Sequence, residues 1–483
     1  MRKLLLASVA VLGGTLGAAN AQSFTQAPSV VPTPVPFTLT PSPTAGPGTI
    51  SVRINAKLNF YMQAGSDSGR NTKVTPIAGS ATSLGSPQSN GKLQDYQFAE
   101  YARLYFNLDG IAGNGLKYGA FLEVRQDNGV APGGSGGTFG SLSAQSRSRG
   151  AMYFRNEGGY LGTDQLGFVR FGSTYEPSVL FATGTFENFN DGAWDGDLPG
   201  FFTGNTTPQW PFPDVGTFYV PGSIVYLSPQ FYGVDFSASF TPTSAGLGNT
   251  SGNCNYGVSA AGGGLGGNVF GANAPQGCDA LSATSGPEYN RFRNEAQIYA
   301  RYRGAFGPVG IAVEGGGIFS GKVGDNATPQ RALQYDGYSL GDGGVLLTYG
   351  GLAVGGHVTA GRSNGGIGLD PKGSKDSFAW VAGASYAIGP VIVGASYFDY
   401  MSAGSNNNTV STLVGNRNEW GAAAGGTYNF APGMNIFLSY LYGHRKELGV
   451  DLLSGAVAAG RVNVLTHNNV QSQGVSIGTQ FRW

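Results

Sequence analysis

The chain has 483 residues, of which 82 are glycine, 12% are aromatic and only 12% are charged. That charged share is about half that of an ordinary soluble domain, and so much glycine disfavours helix throughout. Its 28 basic and 28 acidic side chains cancel, which gives no hint of a nucleic-acid partner, and two cysteines are too few for a disulfide framework.

At the N-terminus Arg2 and Lys3 precede an apolar run from Leu4 to Leu16, and Ala19-Asn20-Ala21 offers a cleavage site, so residues 1–21 read as an export signal. Removing it takes away two cations and leaves a net charge of about −2 at neutral pH. Beyond it, Gly, Asn and charged residues interrupt every apolar run well before the roughly 20 residues that a membrane-spanning helix needs. Residues 22–48 follow as a leader, with Pro28, Pro32, Pro34, Pro36, Pro41, Pro43 and Pro47 forbidding ladder hydrogen bonds and favouring extended polyproline geometry. A periplasmic spacer is the expected role.

From Thr49 the pattern changes to strict alternation. Val52, Ile54, Ala56, Leu58, Phe60 and Met62 fall on one face, against Ser51, Arg53, Asn55, Lys57, Asn59 and Gln63 on the other. A period of two is the mark of a strand. The same split recurs, with Leu104, Phe106 and Leu108 against Tyr101, Arg103, Tyr105 and Asn107, and with Leu122 and Val124 against Phe121, Glu123 and Arg125. Connections alternate between long Gly, Ser and Asn-rich segments and tight turns. The turns are predicted at Asp109–Gly115, near Gly158, and at Pro229–Gly233, Gly304–Gly307, Gly350-Gly351, Gly389-Pro390 and Ala431-Pro432-Gly433. Long outer loops with short periplasmic turns are the habit of outer-membrane barrels. The rhythm predicts an all-β fold over residues 49–483, an antiparallel transmembrane barrel of about 16 strands, because an even count returns the last strand beside the first. A last strand carrying Val475, Ile477, Thr479, Phe481 and Trp483 on one face ends the chain on an aromatic.

Several patches resemble the general porin family of the Gram-negative outer membrane. Tyr101-Ala102-Arg103-Leu104-Tyr105-Phe106-Asn107-Leu108-Asp109-Gly110, with Gly115-Leu116-Lys117-Tyr118-Gly119-Ala120 and Glu123, is similar to that family's second and third strands. Ser223-Ile224-Val225-Tyr226-Leu227-Ser228-Pro229 is similar to its sixth strand, and Gly426–Gly433 to its penultimate hairpin. The chain departs from the family at Phe171-Gly172-Ser173, where Gly-Arg is usual, and in the loop motif Asp191–Asp197. The resemblance implies a water-filled channel for passive diffusion of small hydrophilic solutes and ions, with a third loop folded into the barrel and a short helix in that loop. It also implies a homotrimer, contact with outer-membrane lipids and lipopolysaccharide, and recognition of Phe481 and Trp483 by the barrel-assembly machinery. A channel selective for a sugar or an anion is an open alternative.

Candidate site residues follow from strand parity. A charge on the lipid face of a barrel costs about 2–4 kcal/mol at the midplane, so Lys57, Arg103, Arg125, Arg147, Arg149, Arg155, Arg170, Arg301 and Arg303 are expected to face water, with Arg103, Arg125 and Arg149 favoured for the constriction. Opposite them stand the acids of the long third loop, Glu187, Asp191, Asp195 and Asp197, with Asp214 further along. Held apart across a narrow eyelet, the two sets create a transverse field, with weak ion selectivity and a lean to cations where the loop dominates. A Ca²⁺ site among the clustered Asp carboxylates is a further candidate; no other cofactor or metal is expected. Cys254 and Cys278 share one Gly-rich loop, Thr241–Pro287, and form a candidate disulfide. No catalytic residues are expected: His357, His444 and His467 sit in no nucleophile motif, and Gly316–Val323 imitates a phosphate loop but has Val323 where Ser or Thr is needed. An outer-membrane barrel enzyme or an adhesin is the less favoured alternative.

Overall fold

Alternation of large apolar and polar residues lets one sheet face lipid outside and water or protein inside, and the chain closes that sheet on itself. The structure is a computed structural model and describes residues 46–70, 95–128, 153–186, 189, 194, 196, 198–202, 206–213, 222–243, 292–322, 335–364, 369–371, 373–404, 406–407, 412–413, 417–453, 456–457 and 467–483. The first eight barrel strands are β1 (Ile50–Asp67), β2 (Tyr96–Ile111), β3 (Lys117–Asn128), β4 (Tyr153–Thr163), β5 (Gly167–Ser173), β6 (Ser223–Leu227), β7 (Val234–Thr243) and β8 (Phe292–Phe306). The other eight are β9 (Val309–Lys322), β10 (Ser339–Tyr349), β11 (Leu352–Arg362), β12 (Ser377–Ile388), β13 (Val391–Ser402), β14 (Arg417–Ala431), β15 (Met434–Glu447) and β16 (Asn469–Arg482). All sixteen pair in chain order in one closed barrel. β16 returns antiparallel to β1, from Lys57 opposite Arg482 to Asp67 opposite Ser472, so the closure leaves no edge in lipid.

The tight turns expected after β2, β6, β8, β10, β12 and β14 join those hairpins. The one expected near Gly158 does not: Gly158 and Gly159 lie inside β4, and the chain reverses at Asp164–Leu166. A Cβ on Gly159 would stand 2.8 Å from the Phe171 ring of β5. These glycines therefore serve close approach of a neighbouring side chain, not reversal. Among the described residues helix is confined to α1 (Pro177–Phe181) and a 3-10 turn at Leu198–Phe201, both between β5 and β6. Pro177 opens α1, where its missing N–H costs nothing.

Outward faces carry exposed Val52, Ile54, Leu58, Phe60, Phe98, Phe154, Ile224, Phe236, Val354, Leu438 and Ile477, the apolar band that lipid requires. Inward faces differ around the barrel. On β1–β4 they are mainly polar, whereas β6–β15 turn Val225, Leu227, Tyr299, Ile318, Leu340, Leu346, Val381, Phe398 and Leu441 inward. Those apolar residues bury against the segment between β5 and β6. Tyr175, Val179, Leu180 and Phe181 join one cluster with Tyr299, Ile318 and Leu340, and Phe186, Phe189, Trp194, Phe202, Trp210 and Phe212 join a second with Leu346, Val381, Phe398 and Leu441. The principal apolar core thus lies inside the barrel, between a loop and the wall.

Candidate functional site

The third loop spans residues 174–222, and its described residues are fixed by hydrogen bonds to successive parts of the wall. The Ser178 amide donates to Gln297 Oε1 of β8 at 3.0 Å, and Arg301 Nη1 of β8 donates to the Leu180 carbonyl at 3.2 Å. His357 Nδ1 of β11 lies 2.9 Å from the Thr183 carbonyl. Thr427 of β14 donates to the Phe189 carbonyl at 2.9 Å, and Trp194 Nε1 returns a bond to the Ala422 carbonyl of the same strand at 3.1 Å. Arg70, just beyond β1, reaches the Phe201 carbonyl at 3.1 Å, and Arg417 Nη1 of β14 reaches Gln209 Oε1 at 3.0 Å. Between these tethers the loop lays aromatic rings on bare backbone: Phe189 on Gly394, and Trp194 on Gly421, whose Cβ would stand 2.7 Å from the indole nitrogen. The inward wall of β7–β16 is therefore largely faced by loop.

Charged groups under the loop are committed to holding it. Arg301 is bidentate to Asp235 of β7, at 3.2 and 2.7 Å, and its guanidinium stacks 4.2 Å from the Phe181 ring centroid. Arg417 pairs with Glu447 at 2.9 Å, and Arg445 with Glu419 at 3.1 Å, in a buried square on β14 and β15. Glu176 accepts from Thr241 at 2.8 Å, Ser239 at 3.2 Å and Gln297 at 2.6 Å. Burial, then the adjacent Glu295 carboxylate, pushes Glu176 well above the usual carboxylate range. Arg301 and Arg303, expected from parity to face water, both reach Asp235, and of the two only Arg303 keeps substantial exposure, at 40%.

The basic stripe lies on β16 and β1–β3, where Tyr175 at the start of the loop donates to Glu123 Oε2 at 3.3 Å. Lys57 of β1 is opposite Arg482 of β16 on one side and Arg103 of β2 on the other, and Arg103 is opposite Arg125 of β3. Four cations thus occupy one row across four adjacent strands, where directly opposed like charges are destabilising. Partial relief comes from Glu123, 2.5 Å from Arg125 Nε, and from the Tyr101 ring, with Arg103 at 4.5 Å and Lys57 at 5.1 Å from its centroid. Asn156 donates to the second Glu123 oxygen at 2.5 Å. Arg155 of β4 enters the same group at 6% exposure, and Arg170 of β5 is sealed at 2%, stacked 4.9 Å from the Phe121 ring centroid. Below the row Arg53 pairs with Asp109, which also accepts from the Tyr160 hydroxyl.

The structure thus brings Lys57, Arg103, Arg125 and Arg155 together. Arg147, Arg149, the acids Glu187, Asp191, Asp195, Asp197 and Asp214 with their candidate Ca²⁺ site, and both Cys254 and Cys278 lie outside the described residues, as do residues 1–45. Arg482 was not selected from the sequence, although its place opposite the apolar face of the last strand signals it. Glu176, Glu295, Glu314 and Asp342 carried no signal, because what singles them out is the loop pressed over them. Phe481 and Trp483 close β16 on its outward face, with Trp483 bonding the Ala56 backbone.

No curated protein matches the sequence significantly. Among solved structures the chain is similar to the anion-selective porin from Comamonas acidovorans, at 13% identity and a TM-score of 0.48, covering 90% of this chain and 100% of that one. It is similar to OmpT of Vibrio cholerae, an outer membrane protein in its trimer form, at 14% identity and a TM-score of 0.46 over 90% and 100%. Salmonella typhi OmpF in complex with daunomycin matches at 11% identity and a TM-score of 0.47 over 90% and 97%. A family model described as Gram-negative porin matches residues 7–448. With that match spanning nearly the whole of a closed sixteen-stranded barrel, the chain belongs to the Gram-negative porin family of outer-membrane channels for passive diffusion of solutes.

Proposed function

We propose that solutes cross between the basic wall of β1–β4 and the inward-folded third loop, and that the channel has a weak preference for anions. The observation that carries this reading is the row Arg482, Lys57, Arg103 and Arg125, four cations directly opposed across adjacent strands on the inward face, a concentration of positive charge that points to a use in the lumen. Glu187, Asp191, Asp195 and Asp197 supply the facing carboxylates in this scheme, and the field between the two sets orients dipolar solutes while disfavouring apolar ones. Transport is passive, and no side chain acts as a catalyst. Membership of the porin family supports assembly as a homotrimer in outer-membrane lipid and lipopolysaccharide.

Reversal potentials across a planar bilayer under a salt gradient test the sign. Wild-type channels should show a modest anion preference, and Arg103→Gln with Arg125→Gln should move the potential toward cations. A wild-type cation preference, or a double variant with an unchanged potential, would remove the basic row from the constriction.

A further inference from the structure

Three adjacent strands bring Glu314 of β9, Asp342 of β10 and His357 of β11 to one spot beneath the third loop, and one donor atom from each lies within 4.8 Å of the others. We propose that this cluster binds a divalent cation of the zinc class, with the Thr183 carbonyl as a ligand from the loop, so that the ion clamps the loop to the wall.

The register builds the site. Glu314 and His357 are both directly opposite Gly344, and a Cβ there would stand 2.7 Å from His357 Nδ1 and run into the Thr183 carbonyl. The glycine leaves a hole between an acid and an imidazole, and the loop carbonyl closes it from above. His357 Nδ1 is 3.2 Å from Glu314 Oε1 and 2.9 Å from the Thr183 oxygen. Two ligand atoms about 2.1 Å from one ion stand that far apart at angles of roughly 85–100°, narrower than tetrahedral and accommodated by a first-row dication of higher coordination number. On the far side of the ring Nε2 is 3.4 Å from Asp342 Oδ2. This is the place of the outer carboxylate that accepts the N–H of a metal-bound imidazole and fixes its tautomer. Imidazole with carboxylate and carbonyl oxygens suits a first-row dication such as Zn²⁺.

Charge supplies a second, independent reason. The side chains of Glu314, Asp342 and His357 are all 0% exposed. Both carboxylates face the imidazole, Glu314 also the Thr183 backbone and Asp342 also the Tyr299 hydroxyl, without a well-aligned hydrogen bond among them, and the Phe212 ring stands perpendicular to the imidazole with centroids 5.8 Å apart. Among the described residues neither carboxylate pairs with Lys or Arg. Arg301, directly opposite Glu314, is bidentate to Asp235, so within the cluster itself two carboxylates face a single imidazole; a dication with neutral imidazole balances them, and uncompensated charge is costly in a sealed, apolar setting.

The clamp goes beyond the channel reading and is independent of ion selectivity. Because the site is sealed, the ion has to enter during folding. The full chain is therefore folded from denaturant into detergent with Zn²⁺ or Co²⁺, dialysed against chelator while folded, and analysed for metal content and for visible Co²⁺ absorption. The expected result is one ion per chain with a ligand-field spectrum of mixed nitrogen and oxygen ligands. Glu314→Gln and His357→Gln should abolish uptake, and Asp342→Asn should weaken it about 10- to 100-fold, the range for an outer-shell partner. If wild type folds into a heat-modifiable barrel and takes up neither metal, the cluster is an imidazolium held by two acids and the proposal fails. Equal uptake by His357→Gln would also sink it, since the ion would then lie elsewhere. Should the variants not fold, wild-type stoichiometry and the Co²⁺ spectrum decide: one bound Co²⁺ with a nitrogen-containing ligand field supports the site, and an oxygen-only field overturns it.

Discussion

Trp194→Ala tests whether the third loop is held by its aromatic anchors. Trp194 is 4% exposed, donates to the Ala422 carbonyl, and stands edge-on to Phe398 with ring centroids 6.0 Å apart. Its ring covers Gly421 and Gly443, so removal leaves a cavity floored by backbone that cannot relax into it. Truncating a buried Trp typically costs about 3–5 kcal/mol, including roughly 1 kcal/mol each for the aromatic pair and the hydrogen bond. Charged against loop docking alone, about 4 kcal/mol lowers the ratio of docked to undocked loop roughly 10³-fold. The hydrogen-bonded barrel is untouched, so heat modifiability should persist. Single-channel records should show added open-state noise and brief changes of conductance level, and proteases added to the folded protein should cut the loop faster by a comparable factor. Trp194→Phe, which keeps most of the ring, should fall between the two. Quiet channels and an unchanged cleavage rate in Trp194→Ala would show that the loop is held by its polar tethers and that the apolar cluster contributes little.

Glu176→Gln addresses the buried acid at the start of α1. Its carboxyl is held well above the ordinary range in the fold, so the loop is favoured while the group is protonated and loses stability as pH rises from about 4.3, the unfolded value, through the raised folded one. The Gln variant should flatten the dependence of thermal midpoint on pH above about 4, and parallel profiles for the two proteins would assign it to other groups. Asp195→Asn with Asp197→Asn should increase anion preference in bilayer reversal potentials while leaving the barrel intact; an unchanged potential would mean that the acidic loop does not line the eyelet. Cross-linking in mild detergent should trap a three-subunit band, and a strictly monomeric mass would defeat the trimer.

Much of the barrel is legible in the residues alone. Lipid accepts only closed sheets or helices, no run is apolar enough for a helix, and a period of two from Val52 to Met62 with six correctly located tight turns leaves a sixteen-stranded barrel as the consistent answer. Parity also identifies Lys57, Arg103 and Arg125, because charge is expensive on the lipid face. It says which face these residues take and nothing of their height, so only the register reveals that they oppose one another in a single row with Arg482. Gly158 misled for a related reason, since a glycine that makes room for a neighbouring strand looks the same in sequence as one that lets the chain reverse. What tertiary structure alone decided is the interior. Ile318, Leu340, Phe398 and Leu441 break the apolar-out, polar-in rule because a loop more than a hundred residues away in sequence lies on them. The same contact seals Glu314, Asp342 and His357 under Thr183, since burial depends on what is pressed against a side chain and not on the strand that carries it.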